Sequence, residues 1–255
     1  ETKVSRTDPD SGYMVREGKP KGFFYLDHRT VDGAHAIITD SHVTPANVHD
    51  SIVYLERLDR QRERFDFNVG AVGLDAGYAT SGIAKGLEDR RILGVTGYRR
   101  PTPAREGMMR KSSFTYEAEA DGYRCPQGQL LSYGTTDRNG YKHYRSDPVI
   151  CKNCPLLASC TSNAGAARTI TRHVWADARE RADQLRKTPQ GKAIYKRRKE
   201  TVERSFADAK ELHGHRYARF RGLMKVRWQC LLAASAQNIK KIALALTKAP
   251  SPAWG

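Results

Sequence analysis

Acidic residues are scarce in this chain. Its 255 residues hold 28 Asp and Glu against 44 Lys and Arg, a formal net charge of +16. The deficit favours a polyanionic partner, and nucleic acid is the commonest such partner for a soluble chain. Long apolar runs are also missing: no stretch approaches the roughly 20 residues that cross a bilayer, which excludes a spanning segment. The start lacks the basic, apolar, small-residue order of a secretory signal, so the expected location is cytoplasmic. Cysteine is sparse, and five is an odd number, so a disulfide framework is disfavoured and metal binding is the first use to test. The remainder, 39% hydrophobic and 28% charged, suits an ordered globular protein with a substantial core.

Residues 21–44 contain two β-rich runs joined around Asp32-Gly33, a hairpin signal. Helical spacing of Ile52, Leu55 and Leu58 follows. The pattern then predicts a strand at about 69–75, a helix at about 80–89 and a strand at about 91–98. From Arg99 to about Lys187 the texture changes to Gly, Pro, Arg, Tyr and Cys with little periodicity, which reads as an inserted loop-rich module. Thr188-Pro189 suits a helix start, with the helix running to about Leu212 and stopping at His213-Gly214. A last helix, about 223–246, places Val226, Cys230, Ala233, Ile239, Ile242 and Leu246 on its packing face. The division is 1–98, an insertion at 99–187 and a helical completion at 188–255.

The run "VGLDAGYAT" ends an apolar strand at Asp75. A carboxylate there is either a turn former or the first piece of a site. In "YKRRKETVERSFADAKE", Glu203 has Lys199 four residues before it and Lys210 seven after it, which an exposed helix with i,i+4 ion pairs would also show. A mixed sheet with its helices in this order can bring both acids to one edge. There clustered carboxylates hold Mg²⁺ or Mn²⁺ for phosphodiester displacement, and bound cations relieve their mutual repulsion.

The segments "SRTDPDSG", "VTPANVHDS", "GLDAGYAT" and "RRKETVERSFADAK" followed by "ARFRGLMKVRWQCLLAASAQNIKKI" resemble bacterial insertion-sequence transposases of the DDE type. The resemblance implies an α/β, ribonuclease H-like fold and metal-dependent DNA cleavage and strand transfer. It also implies partners in transposon ends and target DNA, a strand-transfer complex of several copies, and a place at the bacterial nucleoid. Asp75 matches the second acid of the triad and Glu203 the third, and Lys199 and Lys210 match basic residues that contact DNA phosphate. The first acid is expected on a strand before residue 1, so the chain reads as a carboxyl-terminal fragment that is incomplete as a catalyst. Asp8 and Asp10, in a Pro-containing turn, suit a loop instead. The related Tyr-x-x-Arg-x-x-x-Glu spacing is not met, since Tyr195 precedes Glu203 by eight residues and Arg198 by five, so no role passes to Tyr195.

Cys125 with Cys151, Cys154 and Cys160 makes a set of four with one C-x-x-C knuckle. Such a set suits tetrahedral Zn²⁺; reduced unpaired thiols, an iron–sulfur cluster or a disulfide are the alternatives. His143 and His173 are substitute ligands. Cys230 reads as a small core residue. Residues 185–227 hold 14 Lys or Arg against 4 Asp or Glu, Arg198, Arg219 and Arg221 among them, which favours a groove tracking phosphates. Tyr217, Phe220 and Trp228 interleave with these bases, for stacking on unpaired nucleotides or for core packing. The rival functional classes are a non-catalytic, zinc-containing nucleic-acid-binding protein from a decayed element and a structural metal-binding protein.

Overall fold

The computed structural model describes residues 3–16, 18, 20–101 and 105–248. The chain divides into two compact units, Glu1–Tyr98 with Ala182–Gly255, and Arg99–Arg181. Both mix strands and helices, so the chain is α/β.

In the first unit β1 (Gly12–Met14) pairs with the start of β2 (Gly22–Val31), and β2 pairs antiparallel with β3 (Ile38–Pro45). The hairpin turn closes where Asp32 N donates to the Ile37 carbonyl at 2.8 Å, while the Asp32 carboxylate accepts from His35 N at 2.6 Å. The local Asx bond is why Asp starts the turn. Helix α1 (Asp50–Phe65) follows, then β4 (Ala71–Leu74), α2 (Ser81–Asp89) and β5 (Leu93–Thr96). β4 and β5 pair in parallel, and α2, capped by Thr80, is their crossover. Leu58, Leu74, Ile83, Leu87 and Ile92 form the core beneath. Leu55 packs against it, but Ile52 is 73% exposed, so the apolar stripe of α1 starts one turn later than its spacing suggests. β4–β5 shares no ladder with β1–β2–β3 among the described residues.

The carboxyl-terminal helices begin as expected. Thr188 accepts from Gly191 N, and Pro189 opens α6 (Pro189–Arg198). A π-helical turn, Lys199–Glu203, leads into α7 (Arg204–Leu212), which ends at His213 with Gly214 at φ +63°. Helix α8 (Leu223–Lys248) packs on the hairpin through Val226 and Cys230 against Val43. Its first amides are satisfied from far upstream: Gly222 N donates to Asp8 at 3.1 Å and Leu223 N to Asp10 at 2.9 Å. These two acids therefore serve as a remote cap. The Asn238 side chain closes on both backbone groups of Ile38 at 2.9 Å. Ile38 is where β3 begins, and beyond this point α8 outruns the paired strands, with Lys241 still reaching the Ala36 carbonyl in the turn. Ile239, Ile242 and Leu246 are consequently 67%, 51% and 70% exposed, and the expected packing face covers only the first half of the helix.

The second unit is not loop-rich, contrary to its sequence texture. It is a five-stranded antiparallel sheet in the order β10-β9-β8-β7-β6, formed by β6 (Thr115–Glu117), β7 (Gly122–Arg124), β8 (Leu130–Thr136), β9 (Tyr141–Arg145) and β10 (Thr169–His173). Two short helices, α3 (Pro148–Lys152) and α4 (Leu157–Cys160), lie between β9 and β10, and α5 (Ala176–Leu185) follows β10. Its core is Phe114, Tyr123, Leu131, Tyr144 and Ile170. Tyr123 and Tyr144 meet edge to face at 5.3 Å. Asp121 accepts from Tyr144, Tyr116 and Lys142, and those bonds hold its carboxyl at about 2.

Candidate active site and basic surface

Asp75 follows β4 directly and is exposed. Its Oδ1 accepts from Gly77 N at 2.8 Å, capping the 3₁₀ turn Ala76–Tyr78. The turn-forming use therefore occupies one oxygen and leaves Oδ2 available. A second carboxylate stands opposite: a side-chain carbon on Gly77 would lie 3.0 Å from Asp75 Oδ1 and 3.1 Å from Asp50 Oδ2. The two acids thus face each other across a residue with no side chain.

Asp50 opens α1, and its Oδ1 lies 3.3 Å from His28 Nδ1. The other ring nitrogen of His28 is 2.8 Å from the Thr44 hydroxyl, which fixes the imidazole from β3. The His28 hydrogen bond is the main reason the Asp50 carboxyl is held below the usual carboxylate range, against the opposing effect of burial. Tyr78 lies between these groups; burial first, then the Asp50 and Asp75 charges, raise its phenol. Asp50 was not singled out in the sequence, although its segment "VTPANVHDS" was, because its link to His28 spans strands that only folding brings together.

Glu203 is connected to the same end of β4 through residues of α6. A side-chain carbon on Gly73, in β4, would lie 3.2 Å from both Arg198 Cγ and the Ile194 carbonyl oxygen, so the bare strand lets the helix settle on it. Gly97, just past β5, does the same for Tyr195, whose hydroxyl would be 2.8 Å from an added carbon there, with Ala76 N at 2.9 Å. Arg198 Nη1 donates to the Tyr195 hydroxyl at 3.1 Å and pairs with Glu203 Oε1 at 3.3 Å. Arg198 and Tyr195 therefore bridge Glu203 to the turn that carries Asp75.

The π-turn makes this bridge possible. On an α-helix, partners are three or four residues apart. A π-turn closes i to i+5, and Arg198 meets Glu203 across that interval. The extra residue that breaks the Tyr-x-x-Arg-x-x-x-Glu spacing is absorbed in the wider turn, and Tyr195, given no role from its spacing, joins the site.

Lys199, Lys210, Arg219 and Arg221 are exposed and have no carboxylate partner among the described residues. Arg198 differs, its side chain being only 14% exposed and directed to Glu203. Gln229 orders the loop before α8, accepting from Arg219 N and donating to the Tyr217 carbonyl, both at 2.9 Å. Tyr217, Phe220 and Trp228 are 80%, 52% and 57% exposed, which excludes core packing.

In the second unit Cys125, Cys151, Cys154 and Cys160 line one pocket together with Phe114 and Arg168. All four are free thiols. Burial raises the Cys160 thiol, Arg168 lowers it, and the other three thiols raise it further. His143 instead pairs with Asp137 at 3.2 Å, and His173 packs on Tyr141 and Trp175, so neither joins the cysteines.

Residues 124–243 match the family model of the transposase DDE domain. This stretch, a little under half of the chain, is similar to a DDE transposase domain. The match spans the four clustered cysteines, Glu203, Lys210 and most of α8, and leaves Asp75 outside it. No curated protein and no solved structure matches the chain. No helix among the described residues is long and apolar enough to cross a membrane.

Proposed function

We propose that the chain forms a ribonuclease H-like transposase core that cuts and joins DNA, at transposon ends and target, with Mg²⁺ or Mn²⁺. The observation that carries this reading is the acidic group at the carboxyl end of β4, where Asp75 faces Asp50 and is bridged to Glu203 through Tyr195 and Arg198. The donors fit the ion: all are hard carboxylate oxygens, Asp75 keeps one oxygen outside its capping bond, and Glu203 is half exposed. Asp75 and Glu203 would hold the metal, with Asp50 beside them, positioned by His28. When bound, the ion supplies a Lewis acid that activates a water or 3′-hydroxyl and stabilises the leaving oxygen.

The rest of the chain binds and orients. Arg198 and Tyr195 set the direction of Glu203. Lys199, Lys210, Arg219 and Arg221 hold DNA phosphates, and Tyr217, Phe220 and Trp228 offer faces for unpaired bases. Asp8 and Asp10 are committed to the start of α8, so neither serves as a metal-binding acid. The four clustered thiols hold a structural Zn²⁺, for which all-sulfur donors are suited.

The DNA assignment is tested by salt. With six to ten phosphate contacts, affinity should fall by about 10³–10⁵ between roughly 50 and 200 mM salt. Replacing Lys199 or Lys210 by Ala should reduce the log–log slope by about one each. Affinity that stays flat across that range would remove the nucleic-acid reading.

A further inference from the structure

A second cluster of donors lies in the first unit, away from the carboxylates. Asp27 is on β2, Cys230 on the face of α8 that packs on the hairpin, and His215 enters from the loop between α7 and α8. His215 Nε2 is 3.2 Å from Asp27 Oδ2 and 4.0 Å from Cys230 Sγ. The three donor atoms all lie within 4.8 Å of one another. The Asp27 and His215 side chains are 6% and 12% exposed, and Cys230 is 3% exposed.

An acid, an imidazole and a thiol together suggest a proton relay, but the connectivity rules it out. In a relay the nucleophile and the acid occupy opposite ring nitrogens, so that a proton gained at one is balanced by the bond held at the other. Here both approach Nε2, and Nδ1 is buried without a partner among the described residues. Burial also denies the sulfur any substrate. Convergence of three different donors on one point is the arrangement of ligands about a cation.

Two of the three separations suit a zinc ion. A tetrahedral zinc with bonds of about 2.0–2.3 Å keeps neighbouring donors roughly 3.3–3.7 Å apart. The Asp–His separation is already close to that, and the His–Cys separation needs to shorten by roughly half an ångström, a side-chain adjustment. The carboxylate is oriented from outside: the Ser41 hydroxyl donates to Oδ1 at 2.9 Å and Arg29 to Oδ2 at 2.7 Å. Arg29 is itself tied to the hydroxyl and carbonyl of Ser205 at 2.8 and 3.2 Å. Such outer contacts normally support ligating carboxylates. Mixed sulfur, nitrogen and oxygen donors select zinc over the hard cations of the carboxylate site.

We propose that Asp27, His215 and Cys230 form a zinc site that fastens β2, the loop after α7 and α8 together, with water in the fourth position. On binding, the Cys230 sulfur loses its proton to solvent, and the N–H that His215 Nε2 directs at Asp27 is given up as well, leaving a neutral imidazole protonated on Nδ1. The loop so fastened carries Arg216, Tyr217, Arg219 and Arg221, so the ion braces the basic surface from beneath.

Zinc stoichiometry of the full chain, stripped of metal and retitrated, is the test. Cys230→Ala and His215→Ala should each bind one equivalent fewer than the unaltered chain. Cys151→Ser with Cys154→Ser should leave this equivalent in place, which separates the site from the clustered cysteines. Stoichiometry unchanged in Cys230→Ala overturns the proposal, whatever the other cysteines bind. Should the variants fail to fold, alkylation of the unaltered chain in mild urea, resolved by residue, decides the matter. Zinc at about ten times its dissociation constant should slow Cys230 modification roughly tenfold; an equal rate with and without zinc overturns the site.

Discussion

Asp75→Asn and Glu203→Gln should each weaken Mn²⁺ binding by at least about 10–100-fold, the range that even outer-shell partners of metal ligands command. These substitutions are chosen because each keeps the structural bond of its acid. An Asn at position 75 can still accept from Gly77 N and cap the 3₁₀ turn, and a Gln at position 203 can still accept from Arg198. What each loses is a negative charge and a strong oxygen donor, so a weakened titration reports ligation and not a collapsed turn. Calorimetric titration against Mn²⁺ checks it, with Asp8→Asn as a control that should leave affinity unchanged, because Asp8 serves the start of α8. Affinity that is the same in all four proteins would leave a nucleic-acid-binding protein without a catalytic site.

Removing Zn²⁺ from the clustered cysteines should unfold the second unit. The whole stability of a domain of this size, at ~0.05–0.15 kcal/mol per residue, is of the order of 4–12 kcal/mol. A structural zinc supplies apparent binding energies of about 10–16 kcal/mol in small zinc modules, which is comparable to the whole. The sheet depends on that help because its strands are short and its core has few aliphatic side chains, with Tyr123, Tyr144 and Phe114 beside Leu131 and Ile170. In Cys151→Ser with Cys154→Ser, amide exchange should lose protection across β6 to β10. The β4–β5 core around Leu58, Ile83 and Leu87 should keep it. Protection retained across β6 to β10 in that variant would show that the thiols are not a structural metal site.

The elements around the site were largely legible in the sequence, and their connections were not. Asp75 stands out because an apolar strand stops on an acid. The hairpin turn and the start of α6 follow from Asp32 and Thr188-Pro189, whose side chains bond their own local backbone. Gly73, Gly77 and Gly97 carry no comparable signal: each matters because a helix, a hydroxyl or a second carboxylate approaches it from a distant part of the chain. Asp50 depends on His28, and Tyr195 depends on a π-turn that resets helical spacing by one residue. The insertion hid its sheet because its strands are three to seven residues long, too short for a period of two to register in a Tyr- and Arg-rich background. On α8 the apolar pattern continues past Asn238, where the paired strands beneath it have ended.

Asp75 and Glu203 are proposed to share a divalent cation at the carboxyl end of β4. Anomalous scattering from crystals soaked in Mn²⁺ tests it most directly. The account predicts a manganese peak bonded to an oxygen of each side chain, with Asp50 alongside. Manganese bound by only one of them, or found only elsewhere on the molecule, would contradict it.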